Sequence, residues 1–131
     1  MIENSIRAYL LADPTLSGLL ASGAIFPQVL PEEQALPAIA YEITDGAQPL
    51  TAGGLSGVRP WSLIFNIYAN SYDTIRFIEV EIIRLLHGYT GTVQADFIGG
   101  SQVRIITRTN EQKTKIHRSI LQINFYERVI S

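Results

Sequence analysis

The segment from 61 to 87 constrains this chain more than any other. Trp61, Leu63, Phe65 and Ile67 alternate with Ser62, Ile64, Asn66 and Tyr68. That period of two belongs to a strand with one face in a core. The strand runs almost directly into a helix. Ser71 is placed to cap it, and Ile75, Ile78, Ile82, Leu85 and Leu86 form its apolar stripe. Asp73 near the start and Arg84 near the end agree with the helix dipole. His87 falls in the last turn, where a cation or donor satisfies the final carbonyls, and Gly88 suits the left-handed position beyond. A strand and a helix joined so closely pack face to face. The helix is therefore expected to cover the inner face of a sheet.

The flanking sequence supplies the rest of that sheet. Ile2, Ile6, Tyr9 and Leu10 recur at helical spacing. Asp13 and Pro14 close that helix and cap a second, with Leu16, Leu19 and Leu20 on its apolar face and Gly23 just beyond. A short strand is expected at 24–26, and Pro27, Pro31 and Pro37 punctuate an extended connection that is no central strand. In 38–44, Ile39, Tyr41 and Ile43 alternate with Ala40, Glu42 and Thr44. Residues 45–60 carry Gly46, Pro49, Gly53, Gly54, Gly57 and Pro60 and read as a long loop. Loops of that length are often functional.

After the helix, 93–98 reads as a strand ending in a Gly99–Gly100 turn. Val103, Ile105 and Thr107 alternate with Arg104, Ile106 and Arg108, and 109–115 is a polar connection. A last strand at about 116–129 turns Leu121, Ile123 and Phe125 inward. The expected order is α-α-β-β-β-α-β-β-β. The fold class is α+β: a mainly antiparallel sheet packed by one long helix, with two short N-terminal helices. A length of 131 residues fits one domain, 1–131, with a sizeable core.

Composition narrows function by exclusion. The chain is 47% hydrophobic and 17% charged, which argues for a folded globule whose surface is partly uncharged and open to cover by partners. There is no cysteine, so disulfides, thiolate catalysis and cysteine-ligated zinc are out. No basic, apolar leader opens the sequence and no apolar run approaches the roughly 20 residues of a bilayer span, so no membrane role is expected. A net charge of −2 gives no general drive toward nucleic acid. The charge is unevenly placed, however. Up to Asp45 only Arg7 offsets Glu3, Asp13, Glu32, Glu33, Glu42 and Asp45. From 104 to 128 the balance reverses, with Arg104, Arg108, Lys113, Lys115, Arg118 and Arg128 against Glu111 and Glu127. Solvated strand faces explain this blandly. An acidic surface on one subunit meeting a basic surface on the next explains it as head-to-tail pairing, which can close a ring.

Reactive chemistry is hard to find. His87 and His117 are isolated from each other and from carboxylates at ligand spacing, so no metal or cofactor is expected. Glu79 and Glu81 lie two apart on the helix and share no face, and Glu32–Glu33 sits in a proline-flanked loop. No nucleophile elbow, P-loop or dinucleotide-binding glycine pattern is present. Scattered aromatics, such as Tyr68, Tyr72, Phe77, Tyr89, Phe97, Phe125 and Tyr126, make no paired stacking platform for RNA. One oddity remains. Phe77, Val80 and Arg84 share a helix face nearly opposite the main stripe. An incidental surface Phe accounts for this in one reading. A subunit contact accounts for it in the other, since an apolar centre with arginine is typical of protein–protein hot spots. The candidate subunit interface is thus Phe77, Val80, Arg84, Arg104, Arg108 and Arg118. The candidate partner-docking loop includes Gly46, Leu50, Gly53, Gly54, Leu55 and Arg59.

Four phrases carry a resemblance. They are I-R-A-Y-L-L-A-D-P-T-L-S-G-L-L (6–20), I-F-P-Q-V-L-P with L-P-A-I-A-Y-E (25–42), F-N-I-Y-A-N-S-Y-D-T-I-R (65–76) and L-L-H-G-Y-T-G (85–91). In that order they resemble the tail-completion proteins of long-tailed phages and prophages, related in fold to tail terminators. The 45–60 stretch is longer and richer in glycine than the family pattern. The resemblance implies a non-enzymatic virion protein, assembled in the bacterial host cytoplasm and resident in the tail or neck. It implies a homo-oligomeric ring, commonly a hexamer, at the head-proximal end of the tail tube. Its partners would be the tail-tube protein and the head connector, with DNA only in transit through the lumen. Two alternatives stay open: another neck or minor tail protein, or a small ligand-binding or enzymatic α+β domain unrelated to virions.

Overall fold

A computed structural model describes residues 2–21, 24–30, 34–45, 58–93, 96–112 and 115–128. The elements are α1 (Ile2–Leu11), α2 (Pro14–Leu19), β1 (Ile25–Pro27), β2 (Ala38–Asp45), β3 (Val58–Ala69), α3 (Tyr72–Leu86), β4 (Gly91–Val93), β5 (Asp96–Glu111) and β6 (Ile116–Arg128). All six strands join one sheet in the order β1-β2-β3-β6-β5-β4. Only the edge pair β1–β2 is parallel; the other pairings are antiparallel. The α+β expectation holds, but the single strand expected at 93–98 does not form: β4 ends at Val93, and 96–98 open the long strand β5.

The alternation read in the sequence sets which face is packed. Leu63, Phe65 and Ile67 of β3 and Leu121, Ile123 and Phe125 of β6 are buried, as are Ile39 and Tyr41 of β2. Against them lie Ile75, Ile78, Ile82, Leu85 and Leu86 of α3, with Ile6 and Leu10 of α1 and Leu16 of α2 completing the core. Burying one such side chain contributes about 1.5–3 kcal/mol, so the helix stripe and the two central strands hold most of the fold.

The caps form as expected. Asp13 accepts from the Leu16 N–H at 2.9 Å and Pro14 opens α2. Ser71 accepts from the Thr74 N–H at 3.2 Å. Gly88 is left-handed, with φ 73°. Gly23 lies outside the described residues. The helix layer is also stitched to the rest by polar side chains. Tyr9 donates from its hydroxyl to the Leu85 carbonyl at 3.2 Å, and Arg7 donates from Nε to the Ile25 carbonyl at 2.7 Å.

Three further expectations are corrected. First, Gly99–Gly100 is no turn. Both glycines lie inside β5, at a register shift between Gly99 and Gln102. Gly100 has φ 62°, and a Cβ there would approach Tyr126 Cδ2 to 3.1 Å, so a β-bulge accounts for the glycine. Second, the polar stretch expected from 109 belongs to β5 as far as Glu111, because Thr109, Asn110 and Glu111 pair with Arg118, His117 and Ile116. Third, β3 begins at Val58 rather than 61, and Pro60 lies within it opposite Tyr126. Among the described residues, pairing with β2 ends at Asp45–Trp61, so Pro60 removes no ladder donor on that side.

Candidate assembly interface

The two faces of α3 differ sharply. Its stripe is buried, whereas Phe77 and Val80 on the opposite face are 60% and 50% exposed. Asp73, Phe77, Val80 and Arg84 follow one another at three- and four-residue steps, so they form one ridge along the helix. Asp73 is exposed and has no hydrogen bond or ion pair among the described residues.

Arg84 at the end of the ridge is engaged within the subunit. Its guanidinium donates to Glu81 at 2.6 Å and to Asp13 at 2.9 Å. The second contact ties the N-cap of α2 to the last turn of α3. The Asp13 carboxyl is held below its ordinary range by the Leu16 N–H first and then by Arg84.

Three arginines of the 104–128 block, Arg108, Arg118 and Arg104, sit in three different settings. Arg108 reaches the helix layer and grips Glu79 with two parallel bonds, from Nε to Oε2 at 2.9 Å and from Nη2 to Oε1 at 2.8 Å. Arg76 adds a third bond at 2.8 Å, and the Ser119 hydroxyl donates to the same carboxylate. Glu79 is fully buried. Burial pushes its carboxyl up, but the bonds from Arg108, Ser119 and Arg76 outweigh that and hold it below the ordinary carboxylate range.

A second register shift, between Ile105 and Thr107, makes this possible. Below it Val103 and Ile105 oppose Ile123 and Leu121; above it Arg108, not Thr107, opposes the buried Ser119. The expected pairing of Val103 and Ile105 with Thr107 on one face is therefore corrected, and the bulge turns Arg108 toward the helix.

Arg118 lies on the other sheet face. Its Nε donates to Asn66 Oδ1 at 3.1 Å, Nη2 donates to the same oxygen, and the guanidinium sits 5.7 Å from the centre of the Tyr68 ring. No carboxylate among the described residues pairs with it. Arg104 is exposed on β5 without a hydrogen bond or ion pair among the described residues.

The docking-loop residues Gly46, Leu50, Gly53, Gly54 and Leu55 lie outside the described residues. Arg59 falls on β3, at the position opposite Glu127.

The histidines serve the backbone and the ring packing. The expectation that the His87 ring satisfies the last helix carbonyls is corrected: its Nδ1 instead accepts from the Val103 N–H at 3.1 Å. That bond and the one from the Gly88 N–H to the Ser101 carbonyl, 2.7 Å, fasten the end of α3 to β5 beside the glycine bulge. The His117 ring stands edge-on to Tyr72 at 6.5 Å. No group of three or more histidines and carboxylates is gathered at metal-binding distance among the described residues. No helix of the described residues is long and apolar enough to cross a membrane.

On the sheet face turned away from the helices, neutral polar side chains of β3 and β6 bond to one another. Gln122 donates to the Ser62 hydroxyl at 3.1 Å, and Ser62 donates to Asn124 at 2.9 Å. At one end of that face, Val29, Leu30, Leu36, Tyr68 and Ile116 border a shallow groove of about 410 Å³.

No family model and no curated protein matches the chain. A solved structure does. Its fold is that of a chain in the structure titled "Virion of native gene transfer agent (GTA) particle". The two superpose with a TM-score of 0.71, over 96% of this chain and 93% of the other. Identity is 14%, so the likeness is one of architecture.

Glu79 is the residue that sequence reading missed. It stands four after Ile75 and three before Ile82, on the apolar stripe itself. A charged residue at a core position signals a buried partner, and that signal was legible.

Proposed function

We propose that this chain is a non-enzymatic structural component of a phage-like virion, and within it a tail-completion or tail-terminator protein. Copies form a ring, commonly of six, at the head-proximal end of the tail tube. The ring ends tube polymerisation and offers its far face to the head connector, while DNA crosses its lumen in transit. The observation that supports this most is the end-to-end fold likeness to a chain of a gene transfer agent virion. It agrees with the four sequence phrases that resemble the tail-completion family. An apolar helix ridge left uncovered on a small domain points the same way, since such ridges commonly serve association.

The mechanism is binding by surfaces. A terminator must hold the last tube ring more tightly than a further tube subunit does, so repeated weak contacts around a ring suit the task. The test is assembly. The purified chain is mixed with tail-tube protein and followed by light scattering and negative-stain microscopy. Annular particles and tubes capped at one end are expected. A chain that stays monomeric at high concentration and leaves tube growth unchanged overturns the reading.

A further inference from the structure

The ring reading leaves open which surfaces of neighbouring copies meet, and two unpartnered features on opposite layers of the subunit answer it. The first is the convex ridge of α3: Asp73, Phe77 and Val80, at successive turns of the helix face that points away from the sheet. The second is the groove on the sheet's outer face, bordered by Val29, Leu30, Leu36, Tyr68 and Ile116. Val29 is 75% exposed there. Each feature lacks what the other supplies. The ridge has two exposed apolar side chains and, in Asp73, a carboxylate without a partner among the described residues. The groove has a mostly apolar lining, with Gln28 and Gln34 as its polar members, and, on the Tyr68 ring at its rim, a guanidinium without a carboxylate partner among the described residues. Asn66 accepts from two of Arg118's five donors and the Tyr68 ring lies against the guanidinium, so the remaining donors are presented with little ordering cost.

We infer that copies join head to tail, with the Asp73–Phe77–Val80 ridge of one seated in the outer groove of the next and Asp73 meeting Arg118. This inference rests on the ring reading above. An amphipathic helix laid in an apolar groove is a common mode of association. The charges also match in position. Ala69 at the end of β3 pairs with His117 at the start of β6, and α3 begins at Tyr72 against His117. Asp73 and Arg118 therefore lie at the same end of the subunit on opposite layers. Stacking the helix layer of one copy on the sheet of the next brings them together without inverting either copy. Because ridge and groove are different surfaces, a pair of copies still has one free groove and one free ridge. That is a heterologous contact, which continues until it closes.

Two variants test this. Phe77→Asp spoils the ridge and Val29→Asp the groove; both positions are solvent-exposed in the subunit, and unchanged melting temperatures confirm folding. Each variant alone is expected to be a monomer, its self-association weakened at least about thirty-fold, as for a hot-spot residue. Mixed in equal amounts, they should form a dimer and stop there, because each contributes one intact surface. A double-mutant cycle between Asp73→Asn and Arg118→Gln should show at least about five-fold coupling in the association constant. Rings formed by wild type and by both variants alike would overturn this contact and leave the ring reading standing. Two monomeric variants that fail to dimerise on mixing would overturn the head-to-tail pairing. A wild-type chain that never assembles would remove the ring reading and this contact together.

Discussion

Glu79 shows how a single side chain can hold two layers together. Its carboxylate takes bonds from α3 itself through Arg76, from β5 through Arg108 and from β6 through Ser119. Removing one partner of a buried pair strands the others, so Glu79→Ala is expected to cost about 3–5 kcal/mol, read from urea unfolding. The same reasoning run in reverse applies to Ser101, whose buried hydroxyl finds no hydrogen-bond partner among the described residues. Ser101→Ala removes an unpaired polar group and should be neutral or slightly stabilising in the same assay. Gly100 is constrained by both conformation and space. With φ 62° and the Tyr126 ring 3.1 Å from a would-be Cβ, Gly100→Ala should lose about 1–2 kcal/mol.

Among the helices, α2 is the least self-sufficient. It has six residues, too few to be stable alone, and is held by Leu16 in the core and by Asp13. Asp13 caps the helix and also receives Arg84 from α3. Asp13→Ala should therefore cost about 1 kcal/mol for the cap, with a smaller share from the part-exposed ion pair, and should raise hydrogen exchange locally in 14–19. Strand β5 is the element whose shape matters most. Its first bulge receives the end of α3 through Gly88 and His87, and its second turns Arg108 inward. A regular strand of the same length would present Thr107 to Ser119 and leave Glu79 without its strongest partner.

For the whole molecule, the depressed carboxyls of Glu79 and Asp13 link stability to pH. A group whose folded value lies below its unfolded one stabilises the fold above the unfolded value and loses that contribution as pH falls through the folded value. Stability should thus be level near neutrality and decline on acidification below about pH 4.3. Thermal melts across pH 2–7 read this directly, and Glu79→Gln should flatten the decline while lowering stability at neutral pH. Assembly follows a different logic. Because it depends on the outer surfaces of the two layers, changes at Phe77 should alter association without moving the melting temperature of the subunit.

The sequence by itself determined the helices and the buried faces of β2, β3 and β6. Periods of two and of 3.6, the caps at Asp13 and Ser71, and the left-handed glycine at 88 are local properties, and each is written in residues close in the chain. Only the tertiary structure decided the two bulges, the outer groove and the partner of each arginine. A bulge is a mismatch between strands, so β5 alone reveals nothing until β6 sets the register. Likewise Arg108 and Glu79 are far apart in sequence, and their pairing exists only once the helix crosses the sheet. The exposed ridge lies between the two cases: its residues were legible from helical spacing, but the groove proposed to receive it is assembled from three separate stretches of chain.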